Sequence, residues 1–366
     1  MDFSFLKYKP AKSSRTLGID IGTSSIKIVE LEKKAGRFQL SNYGIFELKG
    51  YVDGKNSSSN DDWQSILRMP DQEISSGIRE LINKARMSSM DVVASIPSFS
   101  TFATVIEMPY VSNEDLARAL PFEAKKYVPI PLDEVVLDWS IVGVIDETKD
   151  TSVRKLSNVE VFLAAVPKEE TVRYKNIIDN SKLHMSALEL ENSALIRALL
   201  GNDLSPTVIV NIGGRSTSII IVNRGYERVS HNYEVGGFEI TKAIARSLNV
   251  SLERAEELKR KFGLVKSEGN IITESMISLI DMMVFETKKT IANYEETKKE
   301  KISNVVLIGG LTNMPGFGDY FTQKLGRDIV VGNPFSRVSY PEELSPIISE
   351  LSSTFSVSVG LAMREV

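Results

Sequence analysis

Two short stretches that read as copies of one another constrain this chain more than any other feature. Leu17 to Leu31 reads LGIDIGTSSIKIVEL, and Thr207 to Val222 reads TVIVNIGGRSTSIIIV. In each, a β-branched run ends in a polar residue, Asp20 or Asn211, two positions before a glycine. A Gly/Ser/Thr turn then leads straight into a second β-branched run. The pattern predicts strand, tight turn and strand, written twice and separated by the length of a domain.

The turns carry the chemistry. Glycine lets backbone N–H groups come close to an anion, and neighbouring Ser and Thr hydroxyls add donors. A polyphosphate held between two such turns is the natural ligand. The carboxylate of Asp20 then faces the phosphates, where it is tolerable only through a hydrated Mg²⁺. Asn211 can accept from that water shell but brings no charge. Either hairpin alone is as well explained by an ordinary polar turn; the pair is not.

With 366 residues the chain exceeds the size at which one core stops growing, so two lobes are expected. A hydrophobic fraction of 42% and a charged fraction of 25% are ordinary globular values and exclude wholesale disorder. A net charge of −4 argues against nucleic acid as the main partner. The absence of cysteine removes disulfides, thiol nucleophiles and Cys-ligated metals. The two histidines, His184 and His231, are far apart in sequence, which argues against a His-based metal site or triad. No apolar run approaches the roughly 20 residues of a membrane span. The N-terminal MDFSFLKYKPAKSSRT lacks a signal-peptide core, and the expectation is a cytoplasmic protein whose short tail tucks onto the body.

Along the chain, Phe38 to Leu48 predicts a third strand, and GYVDGKNSSSNDDW a surface excursion. Residues 71–86 predict an amphipathic helix. Residues 91–181 read as strands and two helices, one opening at Ser112, in a compact α+β insertion without catalytic residues. Met185 to Leu200 predicts a linking helix in which Glu189 and Glu191 either cap the start or reach a water in the cleft. EVGGFEITKAIARSLNVSLERAEELKRKFG predicts a Gly-Gly helix start, a break at 249–251 and a second helix with Glu256 and Lys259 on one face. A third helix follows from Glu274 to about Lys299. KISNVVLIGGLTNMPGFGDYF predicts a strand, a Gly309-Gly310 turn and a helix opening near Pro315, and the terminal FSVSVGLAMREV is strand or helix.

Two phosphate hairpins, a Gly-Gly loop after a later strand and a Glu-x-x-Lys helix between them resemble, in order, the nucleotide site of the actin, Hsp70 and sugar-kinase superfamily. The insertion ALPFEAKKYVPIPLDEVVLDWSIV, with VGGFEITKAIARSLNVSLERAEELK, IGGLTNMPGFGDYF, GNPF at 332–335 and VGLAMR, is similar to the PilM family of actin-like type IV pilus assembly proteins. The resemblance spans almost the whole chain.

It implies an α/β, actin-like two-lobe fold of duplicated RNase H-like domains with an FtsA/PilM-type α+β insertion, and ATP with Mg²⁺ in the cleft. Residues 1–90 with 183–206 would form the first lobe, 91–182 a partner-binding insertion, 207–237 with 303–366 the second lobe, and 238–302 a helical subdomain over the nucleotide. By the same resemblance Asp20 would orient the Mg²⁺ water shell. Gly22, Thr23, Ser24 and Ser25 would bind phosphates, with Lys27 reaching them too. Asn211, Gly213, Gly214 and Ser216 would form the second phosphate loop. Glu256 and Lys259 would meet ribose and base, Gly309, Gly310 and Asn313 would line the adenosine pocket, and Glu191 would sit near the attacking water as the catalytic carboxylate.

Asn211 stands where the superfamily usually has aspartate, which should weaken Mg²⁺ organisation and slow turnover more than binding. The family resemblance implies a cytoplasmic scaffold, peripheral at the inner membrane, that captures the N-terminal cytoplasmic peptide of the bitopic protein PilN. Pilus motor ATPases are further candidate partners, and ring or filament self-association stays open. The alternatives are an FtsA-like cell-division actin, whose membrane-targeting helix has no counterpart after GLAMREV, and a small-molecule kinase, for which no stretch offers both an aspartate base and polar sugar contacts.

Overall fold

The computed structural model describes residues 6–7, 14–47, 70–146, 156–265 and 271–365. The surface excursion expected at 50–63, most of the N-terminal tail and most of the charged loop expected at 147–156 lie outside the described residues.

The chain enters through a two-residue strand β1 (Leu6–Lys7), and the first repeat follows as β2 (Arg15–Ile21) and β3 (Ser25–Lys34), antiparallel with Asp20 opposite Lys27. β4 (Arg37–Glu47) continues the meander. The unbroken burial of Leu17 to Ile21 marks β2 as a strand covered on both faces. α1 (Asp71–Lys84) lays Ile74, Ile78 and Leu81 against this sheet, and β5 (Asp91–Ile96) pairs parallel with β2.

A separate three-stranded layer then departs and returns: β6 (Phe102–Pro109), α2 (Asn113–Ala124), β7 (Val135–Asp146) and β8 (Leu156–Pro167), with β8 in the centre. The hydroxyl of Ser112 caps α2 by accepting from the N–H of Asp115 at 3.2 Å, and Leu116, Leu120 and Ala124 close the small core with Val159, Val161 and Leu163. α3 (Lys168–Asn180) returns to α1, where the Ser75 hydroxyl donates to Ile177 O at 3.1 Å. The separate layer is therefore narrower than the expected 91–182, because β5 and α3 are part of the first sheet and its cover.

β9 (His184–Leu190) lies beside β5 in parallel, and only then does α4 (Glu191–Leu199) begin. One continuous helix over 185–200 was the expectation, and it is corrected here. Met185 to Leu190 are buried between β5 and β1, and ladder pairing with burial outweighs the helical preference of Ala, Leu and Glu.

The second repeat folds as β10 (Thr207–Ile212), β11 (Thr217–Asn223) and β12 (Tyr226–Tyr233). α5 (Gly237–Leu248) ends on Asn249 in the left-handed region, and α6 (Leu252–Phe262) starts where the Ser251 hydroxyl accepts from the N–H of Arg254. α7 (Ile271–Lys298) buries Met276, Ile280, Met283, Ile291 and Tyr294 as one stripe. β13 (Asn304–Ile308) pairs parallel with β10, then come α8 (Phe317–Leu325) and β14 (Val330–Val331).

The sequence repeat is thus a repeat of topology. The second sheet runs β12-β11-β10-β13-β14, and the first contains the same arrangement as β4-β3-β2-β5-β9: three antiparallel strands followed by two parallel ones. The segment 303–366, expected with the second lobe, divides between the two. β13 and β14 join the second sheet, whereas β15 (Val338–Ser339) extends the first beyond β4. α9 (Ile348–Ala362) crosses to the first sheet so closely that a Cβ on Gly18 would overlap Ser358 O. It also crosses α4 at Gly360, where a Cβ would overlap Ala194 O. The terminal SVSVGLA run is buried all round because α9 is wedged among α4, β2, β3 and β5. Val357 and Leu361 of α9 share a core with Leu195 of α4 and Ile209 and Ile220 of the second sheet, joining the lobes.

Candidate functional site

The two turns are closed by the same bond. Gly22 N–H donates to Ser25 O at 3.0 Å, and Gly213 N–H donates to Ser216 O at 2.9 Å. The amides of Thr23, Ser24, Gly214 and Arg215 donate to nothing among the described residues. Four free amides on two tight turns form a concave donor set of the kind that binds anions. The turns also face each other: a Cβ on Gly214 would stand 2.8 Å from Ser24 Oγ and 3.4 Å from Thr23 Oγ1. A larger residue there would push the Ser24 side chain aside. The carbonyls of Gly213 and Gly214 are engaged by the first amides of α5, from Gly237 at 3.0 Å and Phe238 at 2.7 Å, which leaves the N–H side of the turn free.

Asp20, the last residue but one of β2, is nearly buried and holds Lys27 Nζ at 3.1 Å across the hairpin. Glu191 opens α4 as its first residue, and its two oxygens have different partners. Asn211 Nδ2 donates to Oε1 at 2.7 Å, and the N–H of Ser98 approaches Oε2 at 3.4 Å. Burial and the neighbouring charge of Asp20 push the Glu191 carboxyl up to about 7, against the pull of the Ser98 N–H, Lys27 and Asn211. Asn211 thus serves here as a donor that orients Glu191, where the sequence led to an acceptor for metal-bound water. Glu189, the other candidate on this segment, lies on β9 with its carboxylate between Arg197 and Arg364 and away from the turns.

On the second lobe Lys259 is bonded to Glu256 at 2.6 Å and donates to Thr241 Oγ1 at 2.8 Å and to Gly237 O at 3.0 Å. Because Gly237 N–H in turn donates to Gly213 O, α6 is tied through α5 to the second turn. Gly309 has φ +99° and stacks its backbone on Ile212, the strand end that precedes the second turn. Gly310 faces open space. Asn313 Oδ1 accepts from Ser353 Oγ at 2.8 Å, which turns that amide toward α9.

Four participants escaped the sequence reading. Ser98 contacts Glu191 through its N–H, and its hydroxyl donates to Asn192 Oδ1 at 2.5 Å. Asn192 Nδ2 in turn donates to buried Glu227 Oε2 at 3.0 Å and to Ser230 Oγ at 3.2 Å, both on β12. A short polar bridge therefore runs from the first lobe, through the start of α4, to the second sheet. Ser98 and Asn192 carry no sequence signal, since only folding brings 98, 192 and 227 together. Thr241 is an unmarked helix residue. Arg215 had a signal, a cation inside a phosphate turn.

The comparisons with known proteins bear on the family and the fold. A family model described as type IV pilus assembly protein PilM matches residues 18–366. A solved PilM-PilN type IV pilus biogenesis complex contains a chain that superposes with a TM-score of 0.78 at 23% identity, covering 96% of this chain and 98% of that one. The ethanolamine utilization protein EutJ from Carboxydothermus hydrogenoformans superposes with a TM-score of 0.54 at 17% identity over 98% and 92%. Among curated proteins, the cell division protein FtsA of Enterococcus faecalis is 24% identical over 92% of this chain and 86% of its own length, and that of Pseudomonas aeruginosa 25% over 95% and 88%. The two-lobe fold is the actin-like fold of these relatives, and with its family model matched from 18 to 366 the chain belongs to the PilM family of type IV pilus assembly proteins.

Proposed function

We propose that this protein is an ATP-binding scaffold of the pilus assembly platform at the inner membrane, and that its insertion captures the cytoplasmic N-terminal peptide of a PilN-like bitopic protein. The observation that carries the nucleotide half is the pair of identically closed turns, tip to tip, with four free amides. Their hydroxyls, from Thr23, Ser24, Ser25 and Ser216, add donors of the type that cradle phosphates. Gly309, Gly310 and the Glu256-Lys259 pair flank the second turn, where a nucleoside attached to those phosphates would lie.

The residues fit a Mg²⁺ that arrives with the phosphates. Among the described residues there is no cluster of three or more metal-ligating side chains, and Asp20 with Glu191 supplies the carboxylates for water-mediated contact. Mg²⁺ would neutralise phosphate charge in the cleft. Glu191, held by Asn211 and Ser98, is placed to orient a water or take its proton. With neutral Asn211 in the second turn, turnover is slow and the bound nucleotide serves mainly to set the lobes.

For the partner half, the insertion exposes Phe99 (57%), Tyr110, Val111 and Phe122 (73%), an apolar surface without chemistry on it. An extended apolar peptide with basic flanks, as expected next to the cytoplasmic face of a membrane, suits such a surface on an acidic protein. Among the described residues no helix is long and apolar enough to cross a membrane, so contact with the membrane would come through this partner. The test is hydrogen exchange of the full chain with Mg-ATP and, separately, with the partner's N-terminal peptide. Nucleotide should protect 22–25 and 213–216, and peptide should protect the insertion. Protection by the peptide only beyond Thr207, or by neither ligand at saturation, would overturn the reading.

A further inference from the structure

We propose that Arg215 is a phosphate-binding residue, and that through it this site holds the phosphate chain of a nucleoside triphosphate directly and keeps it when the divalent metal is removed. The inference rests on the nucleotide reading above and deepens it. Among the described residues, the other cations beside the paired turns are already committed. Lys27 is held by Asp20 at 3.1 Å, Lys259 by Glu256 at 2.6 Å, and Arg260 by the same Glu256 at 2.9 Å. Arg215 is half-buried in the second turn, and among the described residues it has neither a carboxylate nor any other hydrogen-bond acceptor. The turn's own carbonyls at Gly213 and Gly214 are taken by α5. A half-buried arginine without a counter-charge would be satisfied by an anion at the adjacent free amides. Its planar fork matches phosphate oxygens.

Two features of one five-residue turn point the same way. Asn211 leaves the second turn without a carboxylate of its own, so that only Asp20 and Glu191 stand by a metal, and Arg215 adds a fixed positive charge to that same turn. A metal neutralises phosphate charge from outside the protein, whereas here the protein carries part of that neutralisation itself.

The experiment is calorimetric titration of the full chain with ATP and with AMP, in Mg²⁺ and in EDTA, for wild type, Arg215→Ala and Arg215→Gln. Wild type is expected to keep ATP in EDTA, and Arg215→Ala to weaken metal-free ATP about 10- to 100-fold while changing AMP less than about threefold, as for loss of a charge-assisted bond to phosphate. Arg215→Gln, which keeps a planar polar side chain, should fall in between, and it carries the test if the alanine variant does not fold. Wild-type affinity for metal-free ATP in the variants, or equal losses for ATP and AMP, would overturn the role of Arg215 while leaving the nucleotide reading intact. So would a wild type that binds ATP only with Mg²⁺. A wild type that binds no ATP in either buffer would overturn both.

Discussion

Glu227→Gln tests the buried bridge between the lobes, and its effect should grow as pH rises from about 4.5 through about 7. Glu227 sits on β12 with 5% exposure, accepts one bond from Asn192 Nδ2, and has no partner for its other oxygen among the described residues. Burial pushes its carboxyl from 4.5 up to about 7, with the Asn192 bond pulling weakly the other way. A group whose folded value lies above its unfolded value contributes its full stability when protonated in both states, below the unfolded value. That contribution falls as pH rises through the folded value. At about 1.4 kcal/mol per tenfold change in proton affinity, the loss between about pH 4.5 and about pH 8.5 is roughly 2–3 kcal/mol.

Glutamine keeps the acceptor for Asn192 and cannot ionise. Urea unfolding of both proteins across this range should show the variant gaining on the wild type by that amount as pH rises, the subtraction removing every other titrating group. A difference that stays constant within about 0.5 kcal/mol, or a variant that loses ground at high pH, would refute the claim that Glu227 is buried without a counter-charge.

Three further outcomes can be checked. Asp20→Ala should weaken Mg-ATP about tenfold or more by calorimetry, while metal-free ATP holds or improves because Lys27 is released. Asn211→Asp replaces the 2.7 Å donor to Glu191 with a second carboxylate, so thermal unfolding in metal-free buffer above neutral pH should report a loss of about 2–4 kcal/mol that Mg²⁺ restores. Turnover of that variant should equal or exceed that of wild type, and a wild-type rate of about 1 per second or more would contradict the slow-hydrolysis reading. Gly360→Val should cost about 1–3 kcal/mol or more by urea unfolding, because its side chain enters the α4–α9 crossing, whereas Gly310→Ala, facing open space, should be near neutral in the same assay.

What the sequence determined by itself was whatever is encoded locally. The paired hairpins, the Ser112 cap, the break at 249–251 and the stripe of α7 follow from period, turn chemistry and capping, which act over a few residues. The duplication was legible because both copies must satisfy the same turn geometry with the same small residues. Tertiary structure decided the rest. Met185 to Leu190 became a strand because two neighbouring strands were waiting for it, β15 and α9 returned to the first lobe, and Ser98, Asn192 and Glu227 met from three separate segments. The role of Asn211 changed for the same reason: from sequence it is an aspartate missing its charge, and in the fold its amide reaches a carboxylate twenty residues earlier, a contact no local spacing encodes. Local rules fix which elements can form, but burial and hydrogen-bond satisfaction across long separations select their neighbours, and the cleft is made almost wholly of such neighbours.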